Sequence, residues 1–122
     1  IGAHVAVMPG TVITHDDVVG DFATLTSGVR LGGSVTVGRG AYLGAGALIR
    51  QDLNIGEWSM IGMGALVTRP VPAAEIWYGS PARRHGAVEV PPDLDSRSAP
   101  DRLPYRLDHP VDDGLGDPRV DG

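Results

Sequence analysis

The stretch Leu31-Gly32-Gly33-Ser34-Val35-Thr36-Val37-Gly38-Arg39-Gly40-Ala41-Tyr42-Leu43 states one pattern twice and opens it a third time. An aliphatic residue is followed by glycine, then by two short-range variable positions, a small or β-branched residue and a second variable position. Outward from this stretch the aliphatic recurs at every sixth position without an insertion: Ile1, Val7, Ile13, Val19 and Leu25 before it, Ile49, Ile55, Ile61 and Val67 after it. A six-residue beat is not helical, because 3.6 residues per turn drift out of phase. It suits one short flat strand plus a corner, and three such sides close a triangular coil. Units this short bury an apolar side only by stacking on one another. The expected coils are residues 1–18, 19–36, 37–54 and 55–72, with all twelve spine aliphatics inside. The glycines after the aliphatic (Gly2, Gly20, Gly32, Gly38, Gly44, Gly56, Gly62) are expected to permit tight corners. The fifth position is filled by small or β-branched residues such as Ala23, Val29, Val35, Ala41, Ala47, Ser59 and Ala65. Asp17 stands out there, as a hydrogen-bonding corner residue or as part of a site.

Composition bounds the rest. At 122 residues the chain holds one domain. It starts in phase at Ile1 without Met, which reads as a fragment or processed chain whose first coil would need covering by a preceding domain. No apolar run reaches membrane-spanning length and no signal peptide is visible, so the expected location is cytoplasmic. The absence of cysteine excludes disulfides and thiolate metal sites. Residues 1–85 balance six acids (Asp16, Asp17, Asp21, Asp52, Glu57, Glu75) against six arginines (Arg30, Arg39, Arg50, Arg69, Arg83, Arg84), so the net charge of −5 lies beyond them. That balance argues against a nucleic-acid footprint. Pro70 and Pro72 are expected to stop the coils, because proline removes a ladder donor. The expected divisions are a β-helix domain over 1–72, a cap over 73–85 containing Gly79-Ser80-Pro81-Ala82-Arg83, and an acidic, proline-rich tail over 86–122, irregular, disordered or strap-like. Leu103, Tyr105 and Leu107 are its candidates for docking.

Residues eighteen apart should sit above one another by one strand spacing, roughly 4.7–4.9 Å. One column is then His15, Gly33, Gln51 and Arg69; another is His4, Phe22, Gly40 and Trp58. The first sets an imidazole beside a main chain left open by Gly32-Gly33. A histidine can act as a general base near neutral pH, and a free Gly33 N–H can stabilise an oxyanion. Base plus oxyanion donor is what acyl transfer needs. The competing reading of His15 is a solvated turn residue. His4 is read as surface or hidden interface, His85 and His109 as solvated, and Phe22 and Trp58 as interface packing.

The repeats resemble the hexapeptide-repeat family, whose fold is an all-β, left-handed parallel β-helix, here of about four triangular coils. The string Ile13-Thr14-His15-Asp16-Asp17-Val18-Val19-Gly20-Asp21-Phe22 is similar to the His-acid stretch of sugar acyltransferases of the sialic acid O-acetyltransferase and UDP-4-amino-sugar N-acetyltransferase type. The resemblance spans residues 1 to about 84. It implies that His15 is the base, that Asp16 orients and polarises it, and that Gly33 binds the thioester carbonyl of acetyl-CoA. Thr24, Gly33, Ala45 and Met63 take the cofactor-contact positions. Thr24 departs from the second histidine that many relatives carry there. The resemblance further implies no metal, a sugar or nucleotide-sugar acceptor, and a homotrimer with the site between subunits. The alternatives are an O-acetyltransferase for serine or simple sugars and a non-catalytic β-helix scaffold. A zinc enzyme of the γ-carbonic anhydrase type would need three histidine ligands, and the coils hold only His4 and His15.

Overall fold

The computed structural model describes residues 1–90 and the strand pairing of residues 105–107. The spine aliphatics close ten two-residue strands: β1 (Ala6–Val7), β2 (Val18–Val19), β3 (Thr24–Leu25), β4 (Arg30–Leu31), β5 (Thr36–Val37), β6 (Tyr42–Leu43), β7 (Leu48–Ile49), β8 (Asn54–Ile55), β9 (Met60–Ile61) and β10 (Leu66–Val67). Longer strands follow at β11 (Glu75–Gly79), β12 (Ala82–Val88) and β13 (Tyr105–Leu107). Three parallel walls result. The first is β1-β3-β6-β9, the second β4-β7-β10 and the third β2-β5-β8. Each pairing in these walls joins residues eighteen apart, as in Thr24 with Tyr42 and Val37 with Ile55. The chain is therefore a parallel β-helix of about four turns, with no helix among the described residues.

The core is the column of spine aliphatics and their fifth-position neighbours. Val19, Leu25, Leu31, Val37, Leu43, Ile49, Ile55, Ile61 and Val67 are all buried. Fully burying such side chains stabilises by about 1.5–3 kcal/mol each before entropy is subtracted. The first coil departs from the expected twelve: Ile1 is 75% and Val7 44% exposed, and Ile13 is half-buried. Among the described residues its side chains meet a neighbouring coil on one side.

The corners also differ from expectation. The left-handed backbone conformation sits at the fourth position of the repeat, not the second: Asp16 (φ 62°), Phe22 (63°), Ser34 (58°), Asp52 (64°) and Trp58 (58°) adopt it, as do Gly28, Gly40, Gly46 and Gly64. The second-position glycines serve close approach instead. A Cβ on Gly38 would lie 2.6 Å from Glu57 N, and one on Gly44 2.6 Å from Met63 N. Coils touch backbone to backbone there.

The expected stop at residue 72 is displaced. Val71, between the two prolines, is buried and bridges Ile55 in the third wall. Its N–H donates to Asn54 O at 3.0 Å. The prolines flank the one residue whose donor is needed. From here the offset falls to sixteen, since Ile76 pairs with Met60 and Trp77 with Ile61, so β11 extends the first wall. The lost pair falls across residues 68–70. The column of His15, Gly33, Gln51 and Arg69 thus loses its regular spacing at its last member. Antiparallel β12, and β13 on it, then extend the sheet beyond that wall and pair the outer edge of β11. The expected tail boundary at 86 falls inside β12, while Tyr105 and Leu107 lie in β13; Leu103 and His109 lie outside the described residues.

Candidate active site

Three corners separate the walls. The third, between the second and third walls, carries residues 14–17 of the first coil and 32–35 of the second. Ser34 N–H donates to His15 O at 2.9 Å, which stacks the two turns. A Cβ placed on Gly33 would collide with Cε1 and Nε2 of His15. The imidazole therefore occupies space that only glycine leaves open. Its Nδ1 is 3.2 Å from Asp16 Oδ2, so Nε2 is the nitrogen turned toward Gly33. The Gly33 carbonyl accepts from Asp52 N–H at 3.0 Å, whereas its own N–H has no protein acceptor among the described residues. A base candidate and a free main-chain donor thus share one corner.

Asp17 resolves as a corner hydrogen bonder. Its Oδ2 accepts from Thr14 N–H at 2.7 Å and its Oδ1 from Val35 N–H at 2.9 Å. Thr14 Oγ1 donates to Leu31 O at 3.1 Å. The sequence signal for this was the acid at a position otherwise held by small residues. The third corner is also unlike the other two. Elsewhere the fifth-position N–H donates back to the second-position carbonyl of its own turn: Ala23 to Gly20, Ala41 to Gly38 and Ser59 to Gly56 at the first corner, Val29 to Thr26, Ala47 to Gly44 and Ala65 to Gly62 at the second, all at 3.1–3.4 Å. Among the described residues Asp17, Val35 and Leu53 do not make this bond, and at the first corner Val5 of the first coil does not make it either.

The remaining site expectations are spread around the prism. Thr24 lies half-buried on the first wall. Ala45 and Met63 stack at the second corner, where Gly64 N–H donates to Ala45 O at 2.8 Å, and Met63 is 79% exposed. Within one chain only Gly33 of the four meets His15. At the first corner His4 stacks on Phe22 (5.2 Å between centroids, 8° between planes), Arg39 lies 4.8 Å above Phe22, and Trp58 covers Gly40. This aromatic ladder packs within the chain, at left-handed residues whose conformation costs about 1–2 kcal/mol each. His85 is not merely solvated: half-buried, it stacks on Tyr78 at 3.6 Å. His4 and His15 occupy different corners, and no three His, Cys, Asp or Glu side chains converge among the described residues.

No protein-family model and no curated protein matches the chain. Among solved structures it is similar to LpxA from Acinetobacter baumannii, at 36% identity over 71% of this chain and 34% of that one, with a TM-score of 0.70. It is similar to GDP-perosamine N-acetyltransferase from Caulobacter crescentus at 32% identity over 70% of this chain and 41% of that one, TM-score 0.70; that protein was solved as a histidine-to-alanine variant in complex with CoA and GDP-perosamine. Serine acetyltransferase from Neisseria gonorrhoeae aligns at 27% identity over 81% of this chain and 43% of that one, TM-score 0.70. The chain spans less than half the length of each of these structures. Its structural neighbours are hexapeptide-repeat acyltransferases, and the fold it shares with them is the left-handed parallel β-helix.

Proposed function

We propose that this β-helix is the catalytic unit of an acetyl-CoA-dependent acyltransferase acting on an amine or hydroxyl of a sugar, preferentially a nucleotide-linked one. The observation that carries the reading is the His15 ring seated on Gly33, whose N–H has no acceptor among the described residues. In the proposed step His15 Nε2 takes the proton from the acceptor as its nitrogen or oxygen attacks the thioester carbonyl carbon. Asp16 holds Nδ1 and stabilises the imidazolium. The Gly33 N–H donates to the oxyanion of the tetrahedral intermediate. The carbon–sulfur bond then breaks, and the CoA sulfur leaves with the proton returned by His15. Thr24, Ala45 and Met63 are assigned to the cofactor. Because they lie on other faces than His15, a homotrimer would assemble the site by bringing one copy's corner to another's wall. The nucleotide-sugar preference draws on the perosamine N-acetyltransferase likeness. A serine acceptor is the second reading, favoured by the larger share of this chain that serine acetyltransferase covers. A cytoplasmic setting belongs to the same proposal; no helix among the described residues is long and apolar enough to cross a membrane.

The test is acetyl transfer from acetyl-CoA to a panel of nucleotide-linked amino sugars, free sugars and serine, read by mass spectrometry. His15→Ala is expected to lower turnover at least about 100-fold, with CoA affinity by calorimetry unchanged within about threefold. Unaltered turnover removes His15 from the mechanism. An absence of CoA binding by the parent protein leaves a scaffold.

A further inference from the structure

We infer that Asp17 is a positioning residue that sets the spacing between the His15 imidazole and the Gly33 amide. The inference rests on reading the third corner as the acyl-transfer site. At the other corners each turn between residues 8 and 65 is closed by its own backbone bond, so successive turns are built alike and are tied to each other by the ladder. At the third corner those closing bonds are missing from Asp17, Val35 and Leu53. The Asp17 carboxylate takes up the Val35 N–H instead, and the Thr14 N–H with it. Through Oδ2 it holds Thr14 N–H, immediately before His15; through Oδ1 it holds Val35 N–H, two residues after Gly33. The two segments that carry base and oxyanion donor are thus fastened to a single rigid planar group. The Thr14 Oγ1 bond to Leu31 O fixes the same segment from its other side. His15 and Asp16 are themselves 77% and 80% exposed, so packing does not hold the imidazole over Gly33. The turn beneath it must.

A neutral amide of the same shape cannot do this. Asn offers one acceptor oxygen, and its NH₂ would face one of the two N–H donors. A displacement of about 1 Å at a catalytic group can cost about 100-fold in rate. Asp17→Asn is therefore expected to lower kcat about 10- to 100-fold with the KM for acetyl-CoA within about threefold of the parent. Asp21→Asn is the control. Asp21 also joins two coils, accepting from Ala3 N–H at 2.8 Å, but at the first corner, and its loss is expected to leave kcat unchanged. A nuclear magnetic resonance titration of the full chain reads position without activity. In the parent the Gly33 amide signal should move when His15 is protonated, and the Thr14 and Val35 amides when Asp17 is protonated. In Asp17→Asn the Gly33 response should vanish. A Gly33 amide that still follows His15 in that variant overturns the inference, as do parent Thr14 and Val35 amides indifferent to Asp17. The second measurement needs no variant to fold. Where resonance and kinetics disagree, resonance decides. If the parent protein transfers no acetyl group, the proposed function fails and the resonance criterion alone judges Asp17.

Discussion

Gly33 has two jobs at residue scale, and they separate experimentally. Its N–H is the free donor, and its missing Cβ is the seat of the His15 ring. Gly33 is not in the left-handed region, so alanine fits its backbone. What the new methyl meets is an imidazole that is itself mostly exposed. The ring can swing outward, and the fold has no reason to yield. Gly33→Ala is expected to change stability by no more than about 0.5 kcal/mol while cutting turnover about 100-fold through the displaced base. Thermal unfolding and steady-state kinetics on one preparation check both parts. A large stability loss would mean that the ring is held more firmly than its exposure indicates. Much of this site was legible beforehand. Eighteen-residue spacing alone put His15 over Gly33, and the odd acid at Asp17 was visible as a departure. Its partners were not, because the turn bonds that Val35 lacks can be seen only by comparing corners in space.

At the scale of the element, the repeat uses glycine for two unrelated reasons, and a sequence pattern cannot tell them apart. The spine aliphatics announce where strands lie because burial imposes the beat. Corner conformation is set by where the chain reverses, which is why Phe22 and Trp58 stand at left-handed positions that no propensity argument would assign them. The two-residue loss after Val67 was hidden for a related reason: Val71 stays buried by moving, not by keeping phase. Gly44 and Gly64 distinguish the two roles. A methyl on Gly44 would sit 2.6 Å from Met63 N and 2.9 Å from Ile61 O, both backbone atoms of the next coil. Gly64 has φ 70° and open space around its missing Cβ. Gly44→Ala is expected to destabilise by about 1–3 kcal/mol, as overpacking does. Gly64→Asn is expected to cost less than about 1 kcal/mol, since Asn tolerates the left-handed region. Denaturant unfolding of both variants decides, and equal losses would sink the distinction.

For the whole molecule, the decisive fact is that the proposed catalytic pair stands open to water in a single chain, with His15 and Asp16 77% and 80% exposed. Charge stabilisation at an oxyanion is worth most where water is excluded, and among the described residues no element covers this pair. The proposed cofactor contacts lie elsewhere: Thr24 on the first wall, Ala45 and Met63 at the second corner. Apolar side chains also remain outward on all three walls, with Val18 56%, Tyr42 42% and Leu48 42% exposed. In the proposed homotrimer, closure of this corner would come from another copy set against it. Three copies around an axis would supply three equivalent corners, each facing a neighbour's wall. The protein is therefore expected to sediment as a trimer at micromolar concentration. Its turnover per chain should stay constant while the trimer persists and fall on dilution in step with its dissociation. Sedimentation velocity and kinetics over one dilution series measure the two together. A fully active monomer would mean that the exposed pair works in open water, and the shared-site arrangement would have to be abandoned along with the roles given to Thr24, Ala45 and Met63.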